Sequence, residues 1–130
     1  MADMLPKLFF VHFRDTSFIA LDSGKRVAFL IGFVSQTTPQ EAYIHFVGVH
    51  PEYRKQGIGE TLYMRFFETV KVRGCTLVRC VTSPVNKGSI AFHTHMGFEI
   101  EPGEAEVEGV PVHTDYDGKG QGRVLFVKRL

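Results

Sequence analysis

The chain has 130 residues, 44% of them hydrophobic and 22% charged, with a net charge of +1. That size and balance predict one globular domain over residues 1–130 with a single core, and they exclude the basic excess by which nucleic-acid-binding proteins hold phosphate. No apolar run approaches the roughly 20 residues that span a bilayer, and no basic segment followed by an apolar core and a small-residue cleavage site opens the chain, so neither nucleic acid nor membrane is expected as a partner.

Leu5, Leu8, Phe9, His12 and Phe13 recur at helical spacing and predict a short amphipathic helix, although Phe10 and Val11 also allow a strand there. Residues 16–21 and 27–35 read as strands joined through Asp22-Ser23-Gly24-Lys25, a tight turn in which Gly24 is free to take positive φ. Residues 42–49 form a third strand, ended by His50-Pro51 because proline cannot continue a central ladder. From Gly57 the period changes: Ile58, Leu62, Phe66 and Val70 fall on one helical stripe, and Arg73-Gly74 supplies the stop. A strand over 76–82, a short helix over 86–96 and a strand from 98 to 100 follow. An irregular acidic stretch over 102–122 leads to a terminal strand over 123–128. Strand-helix-strand in the middle implies one parallel crossover, the flanking hairpins imply antiparallel pairs, and a mixed sheet with helices against it is the consistent α/β architecture. Cys75 and Cys80 read as free, buried thiols in a reducing compartment, which makes the cytoplasm the expected location.

The loop Arg54-Lys55-Gln56-Gly57-Ile58-Gly59 stands where a strand gives way to a helix. The first amides of a helix lack intrahelical acceptors and carry the positive end of its dipole, so a diphosphate can accept their hydrogens. Glycines at 57 and 59 keep side chains out of the way, and Arg54 and Lys55 add positive charge. The third glycine of a dinucleotide fingerprint is absent, since position 62 is Leu, and no Walker lysine is present.

The segment Ile44-His-Phe-Val-Gly-Val-His-Pro-Glu-Tyr-Arg-Lys-Gln-Gly-Ile-Gly-Glu-Thr-Leu-Tyr63 resembles the central motif of the GNAT N-acetyltransferase family, and Ser83-Pro-Val-Asn86 with Ser89-Ile-Ala-Phe-His-Thr-His-Met-Gly-Phe98 resembles that family's next block. Together the two blocks cover about residues 42–98. The resemblance implies a mostly antiparallel mixed sheet with a splayed parallel strand pair and flanking helices. It implies acetyl-CoA as co-substrate and a small-molecule or peptide amine as acceptor. It places the diphosphate on the loop from Arg54, Lys55, Gln56, Gly57, Ile58 and Gly59 to Glu60. It places the pantetheine arm along Val47, Gly48 and Val49, with Asn86 bonding the same arm. His93 stands where many members have a tyrosine that protonates the leaving thiolate; the alternative is that it packs or caps at the helix end.

Transfer to an amine also needs a base. A lysine-like amine lies some 3.4 units above neutrality, so deprotonating it costs on the order of 4.6 kcal/mol. Tyr43 falls at the position of the family's acidic base, His45 faces the same side two residues on, and Glu41 can act through water; His45 ranks first. Direct transfer needs no acyl-enzyme and no cysteine. No metal is expected, because His93 and His95 are two adjacent candidates where zinc takes three or four ligands. The acidic run Glu99, Glu101, Glu104, Glu106 and Glu108 reads as a solvated edge that also suits a cationic substrate. Only residues 1–15 precede the hairpin, where family members usually carry a strand and two helices. The apolar surface this leaves, including Phe9, Phe10 and Phe13, then favours a homodimer over a monomer, and a non-catalytic acyl-CoA-binding or regulatory module stands as the alternative to an enzyme.

Overall fold

A computed structural model describes residues 8–130, so Leu5 of the expected first helix lies outside the described residues. The chain divides into two compact units: residues up to Thr76 together with Leu130, and Leu77–Arg129.

The first unit holds α1 (Leu8–His12), β1 (Phe18–Asp22), β2 (Lys25–Val34), β3 (Glu41–Val49), a 3-10 turn (Pro51–Tyr53) and α2 (Ile58–Val72). The three strands form an antiparallel ladder with β2 between β1 and β3. Residues 27–32 of β2 are buried without a break, the pattern of a strand covered on both faces rather than one. α2 lies across the ladder on Leu62, Tyr63, Phe66, Phe67 and Val70. This stripe is wider than the i, i+4 series predicts, because Tyr63 and Phe67 add the neighbouring row. At the closest approach a Cβ on Gly32 would stand 2.3 Å from Cε1 of Phe66, so glycine is what lets the helix down onto the strand. Gly32 also lies beyond the first ladder pair of β1, Phe18↔Leu30. Its carbonyl is instead bonded by the Thr16 hydroxyl at 2.6 Å, and its N–H by Ser17 Oγ at 3.3 Å. Two buried hydroxyls thus replace a missing rung, as a buried backbone requires.

Two irregularities shape this unit. The β1–β2 register shifts so that Ala20 faces Ala28 while Leu21 faces Arg26, leaving Val27 as the extra residue of a bulge; the turn beyond it has both Ser23 (φ 51) and Gly24 (φ 79) left-handed, the geometry that matches hairpin twist. In the β2–β3 ladder Ile31 faces Phe46 while Gly32 faces Ile44, which makes His45 the extra residue. Bulges re-aim side chains locally, and His45 is exposed between buried Ile44 and half-buried Phe46.

The second unit holds β4 (Leu77–Thr82), α3 (Lys87–His95), β5 (Glu99–Ile100), β6 (Ala105–Val107), β7 (Val110–Val112) and β8 (Val124–Arg129). β8 pairs antiparallel with both β4 and β5. Val78, Cys80, Met96, Phe98, Val112, Val124 and Phe126 form its core. The stretch expected to be irregular contains a hairpin, β6–β7, turned at Glu108 (φ 50) and Gly109 (φ 83). Much of the acidic run is engaged: Glu101 pairs with Arg79, Glu108 with Lys87 at 3.1 Å, and Glu104 accepts from the Thr114 hydroxyl at 2.7 Å. Thr114's hydrogen bond is the first cause that holds the Glu104 carboxyl below its usual range. No described helix is long and apolar enough to cross a membrane.

Candidate functional site

The loop expected to hold phosphate begins where β3 ends. The His50 N–H donates to the Val27 carbonyl at 2.7 Å. Backbone groups alternate sides along an antiparallel strand, so residues 46 and 48 face β2 with residue 50, and the N–H and C=O of Val47 and Val49 point to the opposite edge of β3. Val47 lies opposite Leu30, Gly48 opposite Phe29 and Val49 opposite Ala28.

Proline at the start of the next turn cannot extend the ladder, and the chain winds into Pro51–Tyr53. Nδ1 of His50 accepts the Glu52 N–H at 3.2 Å and caps that turn. Arg54 Nε donates back to the Val49 carbonyl at 3.3 Å, and Gln56 Nε2 donates to the Glu52 carbonyl at 3.3 Å. The Tyr53 hydroxyl donates to Asp22 Oδ2 at 2.6 Å, and this bond to the carboxylate raises the phenol's pKa.

Two left-handed residues, Lys55 (φ 66) and Gly57 (φ 78), then turn the chain into α2. The lysine is a strained choice and the glycine is not. Gly57 is the N-cap of α2 and supplies no side-chain cap bond. Helix N-termini usually receive one from Ser, Thr, Asp or Asn. Here the N-cap gives the first turn no such bond, and a Cβ at Gly57 would meet no atom within 4 Å. The space around a Cβ at position 57 is therefore open, beside the positive end of a helix of 15 residues. Arg54, Lys55, Gln56 and Gly57 are exposed, Ile58 and Gly59 half-buried, and Glu60 exposed. Thr61 turns its hydroxyl to the Gly57 carbonyl at 2.9 Å.

The residues proposed for the base lie on the α1 side of β3. Tyr43 stacks on Phe33 with ring centroids 5.5 Å apart, Phe33 meets Phe13 at 5.9 Å, Phe13 meets Phe9 at 5.6 Å, and Phe9 meets His45 at 5.5 Å. Both candidates thus belong to one chain of aromatic rings, which runs on from the exposed His45 to Phe46 at 6.0 Å and from Phe46 to Phe29 at 5.9 Å. Glu41 opens the same strand, half-buried.

In the second unit, Asn86 is the N-cap of α3 and its Oδ1 accepts the Ser89 N–H at 3.0 Å. One turn on, His93 is buried, with 7% of its surface exposed. Its ring stacks on Phe126 at 4.7 Å and meets Phe98 edge-on at 5.2 Å. Nδ1 lies 2.7 Å from the Ser89 carbonyl, which can only accept, so Nδ1 carries the proton. Burial lowers the imidazole's pKa, against the opposing pull of that carbonyl. The residue expected to donate a proton is therefore held neutral, with its lone pair on Nε2. Cys80 is buried in the same unit, and burial pushes its thiol far above the ordinary range, which removes it as a nucleophile at neutral pH. The sequence-level reading did not find the Tyr53–Asp22 bond. Its partners are 31 residues apart, and no local pattern announces such a pair.

The sequence profile of a family described as "Acetyltransferase (GNAT) family" matches residues 2–98. An uncharacterised N-acetyltransferase of Methanocaldococcus jannaschii is 35% identical over 90 residues, covering 66% of this chain and 40% of that protein. The L-2,4-diaminobutyric acid acetyltransferase of Nocardia farcinica is 32% identical over 79 residues, covering 61% of this chain and 41% of that protein. The chain thus spans about two fifths of the length of these relatives. The crystal structure of Ard1 from Thermoplasma volcanium superposes with a TM-score of 0.77 at 18% identity, covering 94% of this chain and 75% of that one. That likeness shows the fold: a mixed, mostly antiparallel sheet with flanking helices.

Proposed function

The chain belongs to the GNAT acetyltransferase family, and from that premise we propose that it is an N-acetyltransferase that moves an acetyl group directly from acetyl-CoA to a primary amine. The observation that carries the reading is the uncapped N-terminus of α2 behind the left-handed Gly57, open to solvent and flanked by Arg54 and Lys55. A diphosphate placed there accepts from the first-turn amides at Ile58, Gly59 and Glu60, and the two cations with Gln56 complete its surroundings. Val47 and Val49, whose backbone groups point off the edge of β3, bond the pantetheine arm as a further strand would, with Gly48 between them. The Val47 N–H is the donor proposed to polarise the thioester carbonyl.

The amine attacks that carbonyl, a tetrahedral centre forms, and the coenzyme thiolate leaves. Deprotonation of the amine falls to His45, the exposed residue of the β3 bulge, with Tyr43 two positions earlier on the same strand to orient the acceptor. The thiolate is a mild leaving group, with a pKa near 8.5 by analogy with cysteine, so holding the reactants in contact supplies more than an acid does. His93 is buried, with its pKa lowered by that burial, so we assign it to the packing of its own unit rather than to proton donation.

Release of free coenzyme A thiol from acetyl-CoA, followed across a panel of amino acids, short peptides and polyamines, tests the proposal. At least one amine is expected to raise thiol release well above hydrolysis, with a matching mass gain of one acetyl group. Tight coenzyme binding without acceptor-dependent release across the panel would instead identify a binding module.

A further inference from the structure

Between Pro51 and Gly59, every hydrogen bond among the described residues closes on a neighbour within five positions, with one exception. The exception is the Tyr53 hydroxyl on Asp22 Oδ2 at 2.6 Å, across 31 residues. Packing does not hold this segment either: the 3-10 turn has no buried residue, and Arg54, Lys55, Gln56 and Gly57 are exposed. Behind it lies a pocket of about 390 Å³, walled by Leu21, Asp22 and Val27 of the hairpin and by Tyr53, Gln56 and Ile58 of the loop side. The loop therefore stands off from the hairpin across open space, joined to it by one side-chain bond.

The hairpin end of that bond is rigid. Asp22 and Lys25 form the last ladder pair, closed by two left-handed turn residues. The Val27 bulge just behind them accepts the His50 N–H, which fixes the residue from which the 3-10 turn starts. Tyr53 is itself steadied edge-on by the His50 ring, with centroids 5.9 Å apart. A tyrosine presented by a fixed turn meets a carboxylate presented by a fixed hairpin, and the left-handed Lys55 and Gly57 follow directly.

We infer that Tyr53 and Asp22 form a strut that sets the position of the loop over the α2 N-terminus, making them a positioning pair for coenzyme binding. This rests on the coenzyme reading of that loop. The pair touches no reacting atom. It restricts the conformations of residues 54–57 before the diphosphate arrives, and a preorganised loop gives up less entropy on binding.

Calorimetric titration with CoA of the wild-type chain, Tyr53→Phe, Asp22→Ala, Asp22→Asn and the double variant Tyr53→Phe/Asp22→Ala tests it, with melting curves for each. Both partners are at the surface, so all five proteins are expected to keep the wild-type melting profile. Tyr53→Phe and Asp22→Ala should each weaken CoA roughly three- to tenfold, the range for loss of one hydrogen bond. Asp22→Asn, whose amide oxygen still accepts, should stay closer to wild type. The double variant should be no weaker than either single, because both remove the same bond. If turnover is measurable, the KM for acetyl-CoA should rise while kcat holds. Wild-type binding with Tyr53→Phe unchanged overturns the strut alone, as does a double variant whose losses add. A wild-type chain that does not bind CoA overturns the coenzyme reading and the strut with it.

Discussion

The loop before α2 and the helix α3 were both expected to touch the coenzyme, and they are built in opposite ways. The loop offers backbone: a left-handed Gly57, an N-terminus without a side-chain cap, and four exposed residues from Arg54 to Gly57. In α3 the N-terminus is capped by Asn86, and its one buried residue, His93, lies between Phe126 and Phe98 with its Nδ1 proton spent on Ser89. A site made of amides tolerates little added bulk and is indifferent to most side-chain chemistry. A site made of a packed ring is sensitive to volume and burial. The two regions should therefore respond to substitution in different measurements, binding for the loop and stability for the helix.

The largest effect separates them most sharply. Gly57→Glu puts a carboxylate where the diphosphate is proposed to sit and forces a non-glycine residue to φ 78. CoA affinity should fall by roughly a hundredfold or more, which like charges about 4 Å apart supply near a protein surface, with the core of unit one intact by circular dichroism. Unchanged affinity in a folded variant would mean that the diphosphate lies elsewhere.

His93 carries the next effect, and it should appear as stability. His93→Ala removes a ring packed on Phe126 and is expected to cost about 2–4 kcal/mol, as large-to-small core changes do. His93→Phe keeps an aromatic ring against Phe126, a larger one without the bond to Ser89, and should cost less, about 1–3 kcal/mol. If catalysis needs a proton from this ring, both variants lose turnover alike. The packing account predicts instead that His93→Phe keeps most of it, measured as kcat at saturating acetyl-CoA.

Acid provides a milder version of the same test. Burial lowers the folded pKa of His93 below its value in the unfolded chain, so the unfolded chain binds more protons. The stability it contributes is complete above the ordinary histidine pKa of about 6.5 and is lost as pH falls from there to the lower folded value. Melting temperature should drop between pH 7 and 5.5, and His93→Phe should flatten that drop. An identical slope in both proteins would place the titration elsewhere. The smallest effect is at Cys80: the thiol is buried and held protonated, so Cys80→Ala should keep wild-type turnover per folded molecule.

The same contrast explains what could be read from residues alone. The loop was legible because its signals are local: the hydrophobic period changes from two to 3.6 across Pro51, and glycines at 57 and 59 mark the junction. The hairpin β6–β7 was not, because its strands are three residues each and one contains Pro111; only Glu108-Gly109, a left-handed pair between alternating apolar positions, pointed to it. The bulge that exposes His45 depends on where β2 turns to face Gly32 against Phe66, a contact made by residues far apart in the chain. His93 sits in a helix whose apolar face is too mixed to announce which side is buried, and its neutrality follows from Phe126, more than thirty positions on. Tyr53 and Asp22 meet only once the hairpin and the 3-10 turn have formed. Local geometry was readable, and the chemistry set by distant neighbours was not.

The claim on which the rest depends is that the α2 N-terminus holds a diphosphate. Calorimetric titration of the wild-type chain with CoA and, separately, with pantetheine, which has the same arm and no phosphate, tests it most directly. The account predicts micromolar binding of CoA and binding of pantetheine roughly a hundredfold weaker or worse, since charge-assisted hydrogen bonds to phosphate are among the strongest a protein makes. Equal affinity for the two ligands, or no heat with CoA, would contradict it.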